Sequence, residues 1–233
     1  MVTDVTSDGD VRGYAGFDAE AVAAAGAEPP YEVAEWLGGG YIAFTVDQGA
    51  NTDRYQGIVQ LEGHTLSECT HSYFRNSEQL EAGVKLAAGQ VTTADGPAWR
   101  AGALMIQRLP YQRDLPGRPS EDEYDETWRT AVTLMSSATA AELLAAELSP
   151  DRLLLRLFHS EGVRAYPPQP VADSCRCSNV RVERVLRALS AEELADLRQN
   201  EDVVVVCEFC KREWRYDDAA LDALRADDGP PGF

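Results

Sequence analysis

Four of the five cysteines in this 233-residue chain fall in two local pairs. Cys175-Arg-Cys177 is followed, after 29 residues, by Cys207-Glu-Phe-Cys210. Each pair spans a short arc of backbone, and an intervening helix and strand can bring the arcs to a common point. Cys175, Cys177, Cys207 and Cys210 thereby supply the four sulfur ligands of a tetrahedral zinc site. Zinc prefers thiolate to carboxylate, so the 39 Asp and Glu residues are poor competitors. The odd cysteine count and an N-terminus without a signal-peptide pattern argue for reduced thiols rather than a secreted disulfide framework. Cys69 stands alone on the apolar side of an expected helix, where a buried, inert thiol is the natural reading.

Purely structural zinc sites favour Cys-x-x-Cys twice, and the tighter Cys-x-Cys departs from that habit. Four thiolates around one zinc leave a net charge of −2, and such sulfurs stay nucleophilic toward peroxide or hypochlorite. Their oxidation would remove the ligands, release the metal and unfold a unit too small to stand on its core alone. Two disulfides within the pairs can then form. Cys207–Cys210 closes the less strained ring, whereas Cys175–Cys177 should be strained and easily reduced. On the chemistry alone, a redox switch and a static zinc clip both stay open. A dithiol oxidoreductase built on Cys207 and Cys210 needs a low-pKa thiol at a helix N-terminus, but residues 203–206 read as a strand.

The elements that must position these sulfurs follow from patterning. Residues 40–61 alternate as a β-hairpin, and Thr65 with Glu68 forms a capping box for a helix burying Leu66, Cys69, Tyr73 and Phe74. Strands are expected at 84–88 and 101–109, so the stretch from 11 to 109 reads as a mixed α/β body. Trp128, Ala131, Val132 and Met135 recur at helical spacing after the acidic run 121–126, a solvated helix start. Short helices follow at 140–147 and 151–160, the second with an apolar stripe of Leu153, Leu154, Leu157 and Phe158. Tyr166-Pro-Pro-Gln-Pro170 is extended and reads as a linker. Beyond it, Ser178 caps a helix with Val182, Val185, Leu186 and Leu189 on one face. Ser190 and Glu193 cap another, with Leu194 and Leu197 behind them. Trp214 and Tyr216 pair with the strand ending at Cys207, Asp217 caps a last helix, and Gly229 to Gly232 should fray.

Charge narrows the function classes. A formal net charge of −18 and a pI near 4.5 disfavour nucleic acid and anionic membranes as partners. The segment 171–233 carries nine Arg/Lys against fourteen Asp/Glu, which also disfavours a nucleic-acid-binding zinc ribbon. No stretch approaches the roughly 20 apolar residues of a spanning helix, so a cytoplasmic protein is expected. His64, His71 and His159 lack the companions of a triad or zincin motif and read as surface or capping residues. Gly38-Gly39-Gly40 precedes no Gly-Lys-Ser/Thr and marks a strand start instead. Arg181, Arg184 and Arg187 read as a solvated helix edge.

The pattern Cys175-x-Cys177-Ser178 with Cys207-x-x-Cys210 resembles the heat shock protein 33 family, the redox-regulated 33-kilodalton chaperonins. The resemblance extends through Gly40-Tyr-Ile-Ala-Phe-Thr-Val46, Arg54-Tyr-Gln-Gly-Ile-Val59, Leu61-Glu-Gly63 and Tyr73-Phe74 with Ser77-Glu-Gln79. It continues in Ala101-Gly-Ala-Leu-Met-Ile-Gln107 and Leu157-Phe-His-Ser-Glu161, so it covers residues 11 to 224. It implies an ATP-independent holdase, not an enzyme, idle while reduced and zinc-bound. Oxidation would pair the four cysteines, release zinc, unfold the linker and expose apolar surface to unfolding client proteins, with homodimerisation of the active form. Leu153, Leu154, Leu157 and Phe158 are then the candidate client-binding residues. The implied fold class is α+β: a body at 1–115, a helical and Pro-rich linker at 116–173, a zinc-binding domain at 174–226 and a frayed tail at 227–233. Three features depart from the family pattern. Members begin several dozen residues upstream of the equivalent of Arg12-Gly13, Asn179-Val-Arg181 replaces a charged run, and Cys69 lies outside the motif.

Overall fold

The computed structural model describes residues 1–25, 32–49, 51–111, 116–117 and 119–226, so the tail at 227–233 lies outside the described residues. The chain opens with strands β1 (Val2–Val5) and β2 (Asp10–Tyr14) and helices α1 (Ala19–Ala25) and α2 (Val33–Leu37). Strands β3 (Tyr41–Val46) and β4 (Tyr55–Gln60), helix α3 (Leu66–Asn76) and strands β5 (Ala82–Thr93) and β6 (Gly96–Gln107) follow. Helices α4 (Glu121–Ser136), α5 (Ala140–Leu144) and α6 (Pro150–Phe158) lead to β7 (Ala172–Asp173) and α7 (Asn179–Ala188). Last come α8 (Ala191–Asp196), β8 (Arg198–Gln199), β9 (Asp202–Val206), β10 (Glu213–Tyr216) and α9 (Asp218–Ala226). The class is α+β, with small, mainly antiparallel sheets.

Two compact units emerge: residues 19–166, and residues 1–18 together with 167–233. The division at Tyr166/Pro167 falls in the Pro-rich stretch. Residues 1–18, grouped with the body on sequence alone, fall with the cysteine-bearing segment because β2 pairs in parallel with β7.

In the unit 19–166, β3 and β4 form the hairpin that the alternation predicts, with Tyr41 opposite Gln60 and Val46 opposite Tyr55. The Thr65 hydroxyl accepts the Glu68 N–H at 3.2 Å, and the Glu68 carboxylate accepts the N–H groups of His64 and Thr65, fixing the start of α3. Cys69 and Tyr73 are buried on its inner face, with the Phe44 ring 4.4 Å from that of Tyr73. Leu66, expected there, is exposed: it borders an open groove whose other wall is the small side chains of Ala87, Ala88 and Ala101. Strands β5 and β6 are much longer than the expected segments, pairing from Ala82 opposite Gln107 to Thr93 opposite Gly96. Their alanines and glycines hide the alternation, and Gly102 is needed because a Cβ there would overlap the Leu143 carbonyl. Ser120 and Glu123 form a capping box at the acidic start of α4. Leu153 and Leu157 of α6 are buried with Leu104, Met135 and Ala138, while Leu154 and Phe158 pack at the edge of this cluster. α5 and α6 are shorter than the expected helices, since the backbone turns extended at Ala145 and becomes a 3₁₀ turn at His159–Glu161.

The other unit builds a small core from Val182, Leu186, Leu194, Val203, Trp214 and Leu221. Strand β9 pairs with β10, with Trp214 opposite Val205 and Tyr216 opposite Val203, as expected. Ser178 caps α7, Ser190 and Glu193 cap α8, and the Asp217 carboxylate accepts the Ala220 N–H at 2.8 Å at the start of α9. Val185 and Leu197 are exposed rather than inward. The buried stripe of α7 runs narrowly along Val182 and Leu186, and Val185 points off its edge. Among the described residues, no helix is long and apolar enough to cross a membrane.

Candidate metal centre

Cys175 and Cys177 lie between β7 and α7, while Cys207 follows β9 directly and Cys210 ends the turn toward β10. That turn is held by its own backbone. The Cys207 N–H donates to the Arg212 carbonyl and the Lys211 N–H to the Cys207 carbonyl, both at 2.9 Å. Lys211 takes a left-handed φ of 57° to close it. On the other side, the Ser178 hydroxyl accepts the Arg181 N–H, and the Arg181 guanidinium donates to the Arg176 carbonyl at 3.1 Å. The Trp214 indole N–H donates to the Asn179 side-chain oxygen at 2.7 Å, tying α7 to β10. Cys177 and Cys207 both rest against the apolar core.

The outcome is a cluster in which the four sulfurs lie within 4.8 Å of one another. Cys175 Sγ is 3.6 Å from Cys207 Sγ, and Cys177 Sγ is 3.4 Å from Cys210 Sγ. A tetrahedron of sulfurs around zinc, at about 2.3 Å from the metal, has edges of about 3.8 Å. The set is therefore already the size of one cation, and an all-thiolate donor set selects a soft or borderline metal. No other group of three or more His, Cys, Asp or Glu side chains among the described residues lies so close.

Charge is distributed unevenly over the cluster. The Cys177 N–H donates to Cys175 and lowers its pKa to about 6, so this sulfur is a thiolate at neutral pH. Burial, together with the neighbouring sulfurs, pushes Cys177 up to about 12. A second negative charge is therefore costly until a cation shares the site. Cys69 is fully buried in the other unit, where desolvation raises its pKa.

Residues that the cysteine motif does not reveal complete the surroundings. Asp4 on β1 receives Arg12 Nε and Arg176 Nη2, each at 2.8 Å. The Arg12 guanidinium lies 4.0 Å over the Phe209 ring, and Tyr14 meets that ring edge-on at 5.0 Å. Asp8-Gly9 between two β-rich runs is the signal that could have revealed this hairpin.

The remaining candidates lie elsewhere. Leu153 and Leu157 are core residues, whereas Leu154 and Phe158 line an apolar groove of about 550 Å³ with Ile106, Leu109 and Trp128. His64, His71 and His159 are exposed, with His64 Nδ1 3.4 Å from the Glu32 carboxylate.

Comparison with known proteins extends over the same residues. The family model described as "Hsp33 protein" matches residues 1–217. A 33 kDa chaperonin of Caulobacter vibrioides is 37% identical over 219 residues, covering 93% of this chain and 70% of that protein. One of Pseudomonas paraeruginosa is 34% identical over 234 residues, covering 100% and 72%. In shape, the chain is similar to the crystal structure of a Thermotoga maritima 33 kDa chaperonin, with a TM-score of 0.70 at 22% identity, over 96% of this chain and 72% of that one.

Proposed function

Because the chain belongs to the Hsp33 family of chaperones, we propose that it is a redox-regulated, ATP-independent holdase whose switch is a zinc ion held by Cys175, Cys177, Cys207 and Cys210. The observation that carries this reading is the convergence of four sulfurs, from two distant segments, on a space of one cation. Zinc, when bound, supplies folding free energy, on the order of 10–16 kcal/mol for structural zinc in small zinc-finger units. Cys177 and Cys207, packed on the small core, transmit that order to α7 and β9.

Oxidation undoes the arrangement through the cysteines themselves. One thiolate of a pair attacks a peroxide oxygen, giving a sulfenic acid and hydroxide. Its neighbour then displaces a second hydroxide and closes the disulfide. Two thiolates and one peroxide thus yield one disulfide and two hydroxides. Repeating this in the second pair removes all four ligands. Pairing within Cys175–Cys177 and within Cys207–Cys210 leaves each half of the centre free of the other. Disorder then spreads along residues 162–171 to α6 and frees Leu153, Leu154, Leu157 and Phe158 for unfolding clients. The groove beside Leu154 and Phe158 supports an apolar client site. The oxidised form acts as a homodimer in the cytoplasm, and the net charge of −18 keeps it soluble while apolar surface is exposed.

The turn position of Cys207 and Cys210, at a strand end rather than a helix N-terminus, speaks against a dithiol oxidoreductase. Light scattering of a heat-denatured client tests the proposal. Reduced, zinc-loaded protein should leave aggregation unchanged, and the peroxide-treated protein should suppress it near stoichiometric ratio. Zinc release without any gain in client protection would refute the chaperone switch and leave only a metal site.

A further inference from the structure

Strands β1 and β2 pair antiparallel as a hairpin, which touches a residue between the members of each cysteine pair. Asp4 bridges to Arg176, which stands between Cys175 and Cys177, at 2.8 Å. Arg12 covers Phe209, which stands between Cys207 and Cys210, at 4.0 Å. A single carboxylate, that of Asp4, joins the two guanidinium groups. Side-chain exposures of 16% for Arg12 and 32% for Asp4 set this contact apart from a fully solvated surface pair. The backbone repeats the connection. The Ala172 N–H donates to the Gly9 carbonyl at 3.0 Å and the Ser174 N–H to the Val11 carbonyl at 3.1 Å, directly before Cys175. Gly9, at a φ of 93°, is packed so that a Cβ would overlap the Pro170 carbonyl oxygen.

We propose that this hairpin is a third wall of the thiolate centre, with Asp4 and Arg12 as positioning residues that hold the two cysteine arcs around the cation. The inference rests on reading the four cysteines as a zinc centre. Four thiolates and a divalent cation carry −2, and Arg176, set between two of the cysteines, and Arg12, joined to it through Asp4, bring positive charge to this side of the centre. Coupling is reciprocal: if the hairpin steadies the metal, the metal steadies the hairpin. Residues 10–14 and 172–174 are then part of what the switch releases.

Zinc transfer to a chromogenic chelator, under reducing conditions and with the full chain, measures the wall directly. Arg12→Ala should speed release roughly tenfold, within the usual range of such couplings. Asp4→Asn should also speed it, and Arg12→Lys should fall between Arg12→Ala and wild type, since it restores charge without the fork or the ring contact. Hydrogen exchange in residues 19–166 should not change in these variants. A second measurement needs no variant: removing zinc from the wild type should raise exchange at residues 10–14. Release rates equal to wild type, or a hairpin whose exchange ignores zinc, would overturn the wall while leaving the centre intact. A wild-type chain that binds no zinc would overturn the centre and the wall together.

Discussion

At the scale of single residues, the centre is defined by unequal thiols. Cys175 is ionised above pH about 6, stabilised by the Cys177 N–H, whereas Cys177 keeps its proton to about 12 in the metal-free chain. Loading a cation at neutral pH therefore expels fewer than four protons. As pH falls through about 6, Cys175 regains its proton, the number expelled rises and affinity falls more steeply. Calorimetric titration in buffers of different ionisation enthalpy counts these protons, and four released at neutral pH would contradict the assignment. The convergence of the four cysteines was legible in the sequence because each pair is local and its spacing is chemically restrictive. Asp4, Arg12 and Phe209 were not, because a carboxylate far upstream meets Arg176 only through the folded hairpin.

Among the elements, local chemistry was the most readable. The capping boxes at Thr65/Glu68 and Ser190/Glu193 need only four residues to declare themselves, and both are formed. The lengths of β5 and β6 depend on cross-strand pairing of small residues, which carries no periodic signal. The β7 strand is two residues long and exists only through β2. The α6 stripe separates into core and rim in a way that periodicity alone did not resolve. Leu157 is 2% exposed and Leu155 58%. Leu157→Ala should lower the unfolding free energy of reduced protein by about 2–5 kcal/mol, and Leu155→Ala should change it by no more than about 0.5 kcal/mol. Denaturant titration followed by circular dichroism distinguishes them, and equal losses would mean that α6 is not seated on Leu104 and Met135.

For the molecule as a whole, the two units differ in what holds them together. Residues 19–166 have long paired strands and a helical layer, whereas the cysteine-bearing unit has, among the described residues, seven buried apolar side chains and four convergent sulfurs. A core that small is marginal without a staple. A metal bound by the four sulfurs would, on the proposed reading, be the principal source of order in this unit, and its loss the trigger for a larger rearrangement. X-ray absorption at the zinc edge of the reduced 233-residue chain reaches this point with least intervening inference. The spectrum should give one zinc per chain surrounded by four sulfurs at about 2.3 Å. Nitrogen or oxygen in the inner coordination sphere, or sulfur at fewer than four positions, would contradict the account.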